Sequence, residues 1–178
     1  MANFADYLPT LLRFEGGFVD DPQDPGGATN MGITLKTFQA HGPKLGLTDT
    51  SVDALKRLTR EHAGQLYKLH YWDALKADSI PLQALAELLV DFYVNAGGNA
   101  IRELQRQLNA TGTQPPLDED GQFGASTATA LLRSDLVETY RGLRRRRIEY
   151  YERLVKTRPV LQKYLKGWLN RVDCFPVL

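Results

Sequence analysis

Apolar positions recur at helical spacing through most of the chain. Phe4, Tyr7, Leu8, Leu11 and Leu12 follow an i, i+3, i+4, i+7, i+8 pattern, which predicts an amphipathic helix over Phe4 to Glu15. Asn3 or Asp6 can cap it, Pro9 should start or kink it, and Gly16-Gly17 supplies the stop. Residues 18–34 lose this period and read as a turn-rich excursion, with a short hairpin between "FVDD" and "MGIT". Helical patterning resumes in "ITLKTFQAHG", ending at Gly42, and in "LTREHAGQLYKLHYW", where Thr59 is the expected cap and Leu66 and Tyr67 face inward.

The most apolar segment is "SIPLQALAELLVDFYVNAGG". Ser79 is its expected cap, Pro81 falls in the first turn, and Leu82, Leu85, Leu88, Leu89 and Phe92 form a stripe that predicts a central helix. "NAIRELQRQLN" predicts another helix, and "ATGTQPPLDEDGQFG" breaks the pattern more sharply than any other stretch. "ASTATALLRSD", a long basic helix over Leu136 to Lys156, and a last helix over Val160 to Arg171 complete the chain. No segment repeats and none is low in complexity. The fold class expected is α+β, predominantly α-helical, with a small irregular or β excursion after the first helix.

Composition narrows the function. A chain of 178 residues can bury one sizeable core, or a core with a satellite lobe. No apolar run approaches the roughly 20 residues needed to span a bilayer, so membrane insertion is not expected. The start, "MANFADYLPTLLRFEGG", lacks a basic n-region, a continuous h-region and a small-residue cleavage site. The expectation is synthesis in the cytoplasm without a signal peptide. Cys174 is the sole cysteine, which excludes an intrachain disulfide and cysteine-based metal clusters. His41, His62 and His70 lack zinc-ligand spacing, so neither metal nor organic cofactor is expected.

Charge is unevenly spread. Residues 1–95 carry net −4 and residues 96–178 carry net +5, the latter including "RGLRRRRIEYYERLVKTR". An anionic polymer could lie against the second half, although a solvated helix face is the plainer reading. Arg144 to Arg147 cover every face of one helical turn, so they cannot form a single nucleic-acid-binding surface.

Glu15 is the chemically unusual residue. Phe4, Leu8, Leu11 and Glu15 step by four, three and four, so the carboxyl extends an apolar stripe. Desolvation there and the helix C-terminal dipole both favour the protonated form, as a general acid requires. Gly16 and Gly17 leave room for a bulky substrate. Asp24 lies nine residues on, between Pro22 and Pro25, and Thr29 five further. An acid facing a second, better solvated carboxylate suits glycoside hydrolysis, with a hydroxyl to orient water. Spacing alone is equally compatible with a helix end, a glycine cap and an Asp-rich turn. Calcium binding by Asp20, Asp21 and Asp24 is disfavoured, because the loop lacks the order and terminal Glu of an EF-hand.

The stretch "EGGFVDDPQDPGGATNMGIT" closely resembles the signature of glycoside hydrolase family 108, bacterial and phage N-acetylmuramidases with the pattern E-G-G-Y-x-N-D-P-x-D-x-G-G-x-T-x-x-G-I-T. Similarity continues through "LTREHAGQLYKLHYW", "LLVDFYVNAGGNAIRELQRQLN" and "DGQFGASTATAL" to "YLKGWLNRV". Phe18 stands where Tyr is usual and Asp20 where Asn is usual. The resemblance implies a lysozyme-like fold, Glu15 as the essential acid, and no metal. A weaker likeness to phage-type lysozymes implies roles for Asp24 and Thr29. "AIRELQRQLN" with "DEDGQFGASTATALL" also resembles small helical wall-binding modules, so residues 1–97 read as catalytic and 98–178 as a peptidoglycan-binding-like region docked on them. In that region Leu104, Leu108, Phe123, Leu131 and Leu132 are equally suited to plain core packing.

Substrate contacts are expected from Gly16, Gly17, Tyr71, Trp72 and Asn95. Tyr71-Trp72 suits a sugar platform or core packing, and Asn95 suits an N-acetyl contact or a helix cap. Asp91 needs a hydrogen-bonded partner inside, and Trp168 is expected to anchor the last helix. The implied activity is cleavage of the β-1,4 bond between N-acetylmuramic acid and N-acetylglucosamine. A lytic transglycosylase and a non-catalytic wall-binding protein are the rivals. Peptidoglycan is the expected partner, with a holin-like pore for export, and the protein is expected to act as a monomer without nucleic acid.

Overall fold

Asn3 opens the first helix: its side-chain oxygen accepts from the Ala5 amide at 3.0 Å. Helix α1 (Phe4–Phe14) carries Pro9 within it. The ring there removes one backbone donor. Tyr7 and Leu11 are fully buried, as the spacing predicts. The computed structural model describes residues 1–14, 16–20 and 27–178; Glu15, the last residue of the predicted helix, and residues 21–26 lie outside the described residues.

Residues 3–74 cluster as one unit. After α1 the chain forms strands β1 (Thr29–Asn30) and β2 (Ile33–Thr34), antiparallel, with Thr29 opposite Thr34 and Asn30 opposite Ile33. Met31 and Gly32, both at positive φ (47° and 71°), make a two-residue turn of the type that suits strand twist. This corrects the predicted pairing. Val19 of "FVDD" bridges to Thr29 rather than to "MGIT", whose own Ile33-Thr34 folds back on Thr29-Asn30.

Thr34 then caps α2 (Leu35–His41), accepting from the Thr37 amide, and a 3-10 turn over Gly42–Leu45 follows. A short helix that periodicity did not predict, α3 (Val52–Lys56), is capped by Ser51. Five residues are too few to display a 3.6-residue stripe. Thr59 caps α4 (Arg60–Tyr67) as expected, its hydroxyl oxygen accepting from the His62 amide at 3.1 Å. Gly64 lets α1 approach: a Cβ at this position would meet Leu8 at 3.1 Å. Helix α4 widens into a π-turn over Lys68–Trp72.

Met1–Ala2 and residues 75–178 form the second unit. Its central helix, α5 (Gln83–Ala96), begins later than predicted. Ser79 closes a 3-10 turn instead of capping α5, and its hydroxyl donates to the Lys76 carbonyl at 2.7 Å. Four of the five stripe residues are as predicted: Leu85, Leu88, Leu89 and Phe92 are fully buried, each contributing about 1.5–3 kcal/mol relative to exposure. Leu82 precedes the helix as its N-cap and is half-buried. Around it pack α6 (Gly98–Ala110), α8 (Leu136–Thr157) and, against α8, α9 (Gln162–Asp173). Helix α7 (Ala125–Arg133) follows the predicted break and presents Ala130 and Leu131 inward, while Leu132 is exposed and takes no part in the core.

The four-arginine run divides by helical geometry. Arg147 is fully buried against Asp91, Arg146 bonds the Gln107 side chain, and Arg144 bonds Asp173. Three of the four thus hold the unit together, which a reading of the run as a solvated face did not foresee.

Candidate active site

Of the three residues assigned to chemistry, Glu15 and Asp24 lie outside the described residues, and Thr29 is described. Thr29 sits in β1, half-buried, with its backbone fixed on both edges. It exchanges two 2.8 Å hydrogen bonds with Val19 and pairs with Thr34 across the hairpin. Among the described residues its hydroxyl has no hydrogen-bond partner, so it remains available to a ligand or water.

Two side chains that sequence reasoning missed hold this hairpin. Asn30 is 6% exposed and its amide donates to the Leu55 and Lys56 carbonyls at 2.9 and 3.1 Å. These are the last two carbonyls of α3, where intrahelical partners run short, and the Leu55 carbonyl also accepts from the Leu58 amide at 3.1 Å. Tyr67, also buried, donates from its hydroxyl to the Met31 carbonyl at 3.0 Å. The turn residue at positive φ is therefore tied to α4. The sequence carried only a weak signal, a glycine at the second turn position, because Met31-Gly32 is not among the dipeptides that mark a tight hairpin.

Gly16 and Gly17 are exposed, and among the described residues nothing lies within 4 Å of where a Cβ would stand. Lys56 places its ammonium 5.5 Å above the Phe18 ring, a cation–π contact on the same segment.

Tyr71 and Trp72 part ways. Consecutive helical residues point about 100° apart, so one can face the core while the other does not. Trp72 is fully buried, stacked on Tyr7 at 6.1 Å and edge-on to Phe4 at 5.4 Å. It leaves no ring face for a sugar, which corrects its assignment as part of a platform. Tyr71 is half-buried and leans on Tyr67 and His70 at 5.5 and 4.5 Å. His70 lies 4.4 Å from His41, ring to ring. Burial, then His41 and Lys44 nearby, lower its pKa and so favour the neutral imidazole.

Asn95 belongs to the second unit, where it is exposed at the end of α5. Its amide donates to the Asp91 carbonyl one turn back at 2.8 Å, so it serves its own helix. Among the described residues no group of three or more His, Cys, Asp or Glu is arranged to hold a metal ion.

A mostly helical chain with a small two-stranded hairpin after its first helix has the outline of a lysozyme-like fold. Comparison with known proteins gives the family. Residues 8–97 match the model for glycosyl hydrolase 108, and residues 99–173 match that for "Predicted Peptidoglycan domain". The chain belongs to glycosyl hydrolase family 108, and is a glycoside hydrolase that acts on peptidoglycan. Eleven chains of solved structures match it. One, described as "Structure of Brucella abortus SagA", is 32% identical, covers 96% of this chain and 89% of that one, and superposes with a TM-score of 0.72. No curated protein matches. Among the described residues no helix is long and apolar enough to cross a membrane.

Proposed function

We propose that the chain is an N-acetylmuramidase, hydrolysing the β-1,4 bond between N-acetylmuramic acid and N-acetylglucosamine. Glu15 protonates the leaving glycosidic oxygen. Asp24 activates water or steadies the oxocarbenium-like transition state, with the Thr29 hydroxyl positioning the water. The observation that supports this most is the fixed hairpin. Asn30 and Tyr67 hold Thr29, with its hydroxyl unengaged among the described residues, fourteen positions after an E-G-G step in the segment that matches the hydrolase family. Gly16 and Gly17 admit the glycan, and Tyr71 offers a half-exposed ring to a sugar face.

Glu15→Gln should abolish clearing on a peptidoglycan zymogram while leaving the circular dichroism spectrum unchanged. Equal clearing by both proteins would overturn the assignment of Glu15. Digestion in heavy-oxygen water should place label on the new reducing ends. Unlabelled anhydro ends would instead identify a lytic transglycosylase. The setting we propose is phage or prophage-derived lysis by a monomer that reaches the wall through a holin-like pore.

A further inference from the structure

The C-terminal unit contains a groove of about 860 Å³ that the hydrolytic chemistry does not use. It runs between the loop joining α6 to α7, the outer face of α7 and the start of α8. Pockets of this size commonly accept small ligands. Its floor is built in advance. Gln105, 2% exposed, donates to the Asp120 carboxylate at 2.8 Å and to the Gln122 carbonyl at 3.2 Å, and accepts from the Gly121 amide at 3.0 Å. Arg102 binds the Glu119 and Asp120 carbonyls from the other side.

The lining sets the ligand chemistry. It holds four carboxylates against one guanidinium, and no aromatic ring on which a sugar face could stack. Two carboxylates are already engaged: Asp120 as above, and Asp135 as the cap of α8. The Asp118 and Glu138 carboxylates have no hydrogen-bond or ion-pair partner among the described residues, and neither has the Arg133 guanidinium. On α7, Ser126, Thr129 and Arg133 recur at helical spacing on one face and all line the groove, with the buried Thr127 at its floor, while Leu131 faces the core. Free negative charge, one free positive charge and a row of hydroxyls suit a short zwitterionic peptide far better than a neutral glycan.

We propose that this groove binds the stem peptide of peptidoglycan. Asp118 and Glu138 take the ammonium of its diamino acid, and Arg133 takes a carboxylate. The assignment rests on the chain's being a peptidoglycan hydrolase, and extends that reading by giving the second unit a ligand separate from the glycan that is cut. It also suits the peptidoglycan family model that spans the groove residues.

The test is an NMR titration of the isotopically labelled full chain with three probes. These are a synthetic stem tetrapeptide with a free diamino-acid ammonium, the same peptide with that amine acetylated, and the peptide-free disaccharide. The free-amine peptide should shift the amide signals of Ser126, Thr129 and Glu138. Acetylation, or the double substitution Asp118→Asn with Glu138→Gln, should weaken binding at least tenfold. The acetylated peptide on the wild type decides the question if the double variant folds poorly. Shifts confined to other residues, unchanged affinity after acetylation, or equal shifts from the disaccharide would overturn the proposal. None of the probes needs to be cleaved, so failure here leaves Glu15 chemistry standing, and failure of the zymogram leaves the groove standing.

Discussion

Gly121 and Gly142 pose the same question with different answers. A Cβ on Gly121 would stand 2.7 Å from the Gly98 carbonyl oxygen, and the residue has φ +75°. Both obstacles are backbone, so neither relaxes by a rotamer change. A Cβ on Gly142 would stand 2.1–2.3 Å from the end of the Gln107 side chain, which can turn aside at the loss of its bond from Arg146. We therefore predict that Gly121→Ala lowers stability by roughly 2–4 kcal/mol and Gly142→Ala by about 1–2 kcal/mol, read as shifts in urea unfolding midpoints. The motif "DGQFG" marked the first glycine in the sequence. Its cause did not show there, because the obstructing carbonyl is 23 positions away. Trp72 was illegible for a related reason: a dipeptide "YW" at a helix end does not say which ring turns inward.

At the scale of elements, helices long enough to repeat a stripe were readable, including the caps at Thr59 and Asn3. Elements set by a single turn or by distant partners were not. The hairpin is the clearest case, because its stability comes from Asn30 and Tyr67 reaching α3 and α4 rather than from four residues of strand. Tyr67→Phe removes one donor and should cost about 0.5–1.5 kcal/mol. Asn30→Asp should cost more, roughly 2–4 kcal/mol, because it faces a carboxylate with the Leu55 and Lys56 carbonyls. If Thr29 positions water as proposed, both variants should lower kcat on soluble peptidoglycan more than they raise KM. A hairpin of purely structural value would instead show the stability losses with kcat unchanged at temperatures well below unfolding.

For the molecule, the largest consequence of the charge pattern is internal. Asp91 and Arg147 are both fully buried, 2.6 Å apart, and Arg171 binds the same carboxylate at 2.8 Å, so one aspartate joins α5, α8 and α9. The sequence showed that Asp91 needed a partner, but the partners lie 56 and 80 positions on. Burial is the largest influence on Asp91 and raises its pKa. The two guanidiniums and their hydrogen bonds outweigh it and leave the pKa below the usual 3.8. A carboxylate depressed in the folded state contributes stability above its unfolded pKa and loses that contribution as pH falls toward its folded value. Urea midpoints should therefore hold near neutrality and fall as pH drops below about 4, the carboxylate range. Asp91→Asn takes from the fully buried Arg147 the carboxylate it bonds at 2.6 Å, and should cost about 3–5 kcal/mol at pH 7. Because Asn cannot titrate, the gap between variant and wild type should narrow steadily on acidification. A gap that stayed constant from neutrality down to pH 2 would mean that the two arginines do not depend on the Asp91 charge.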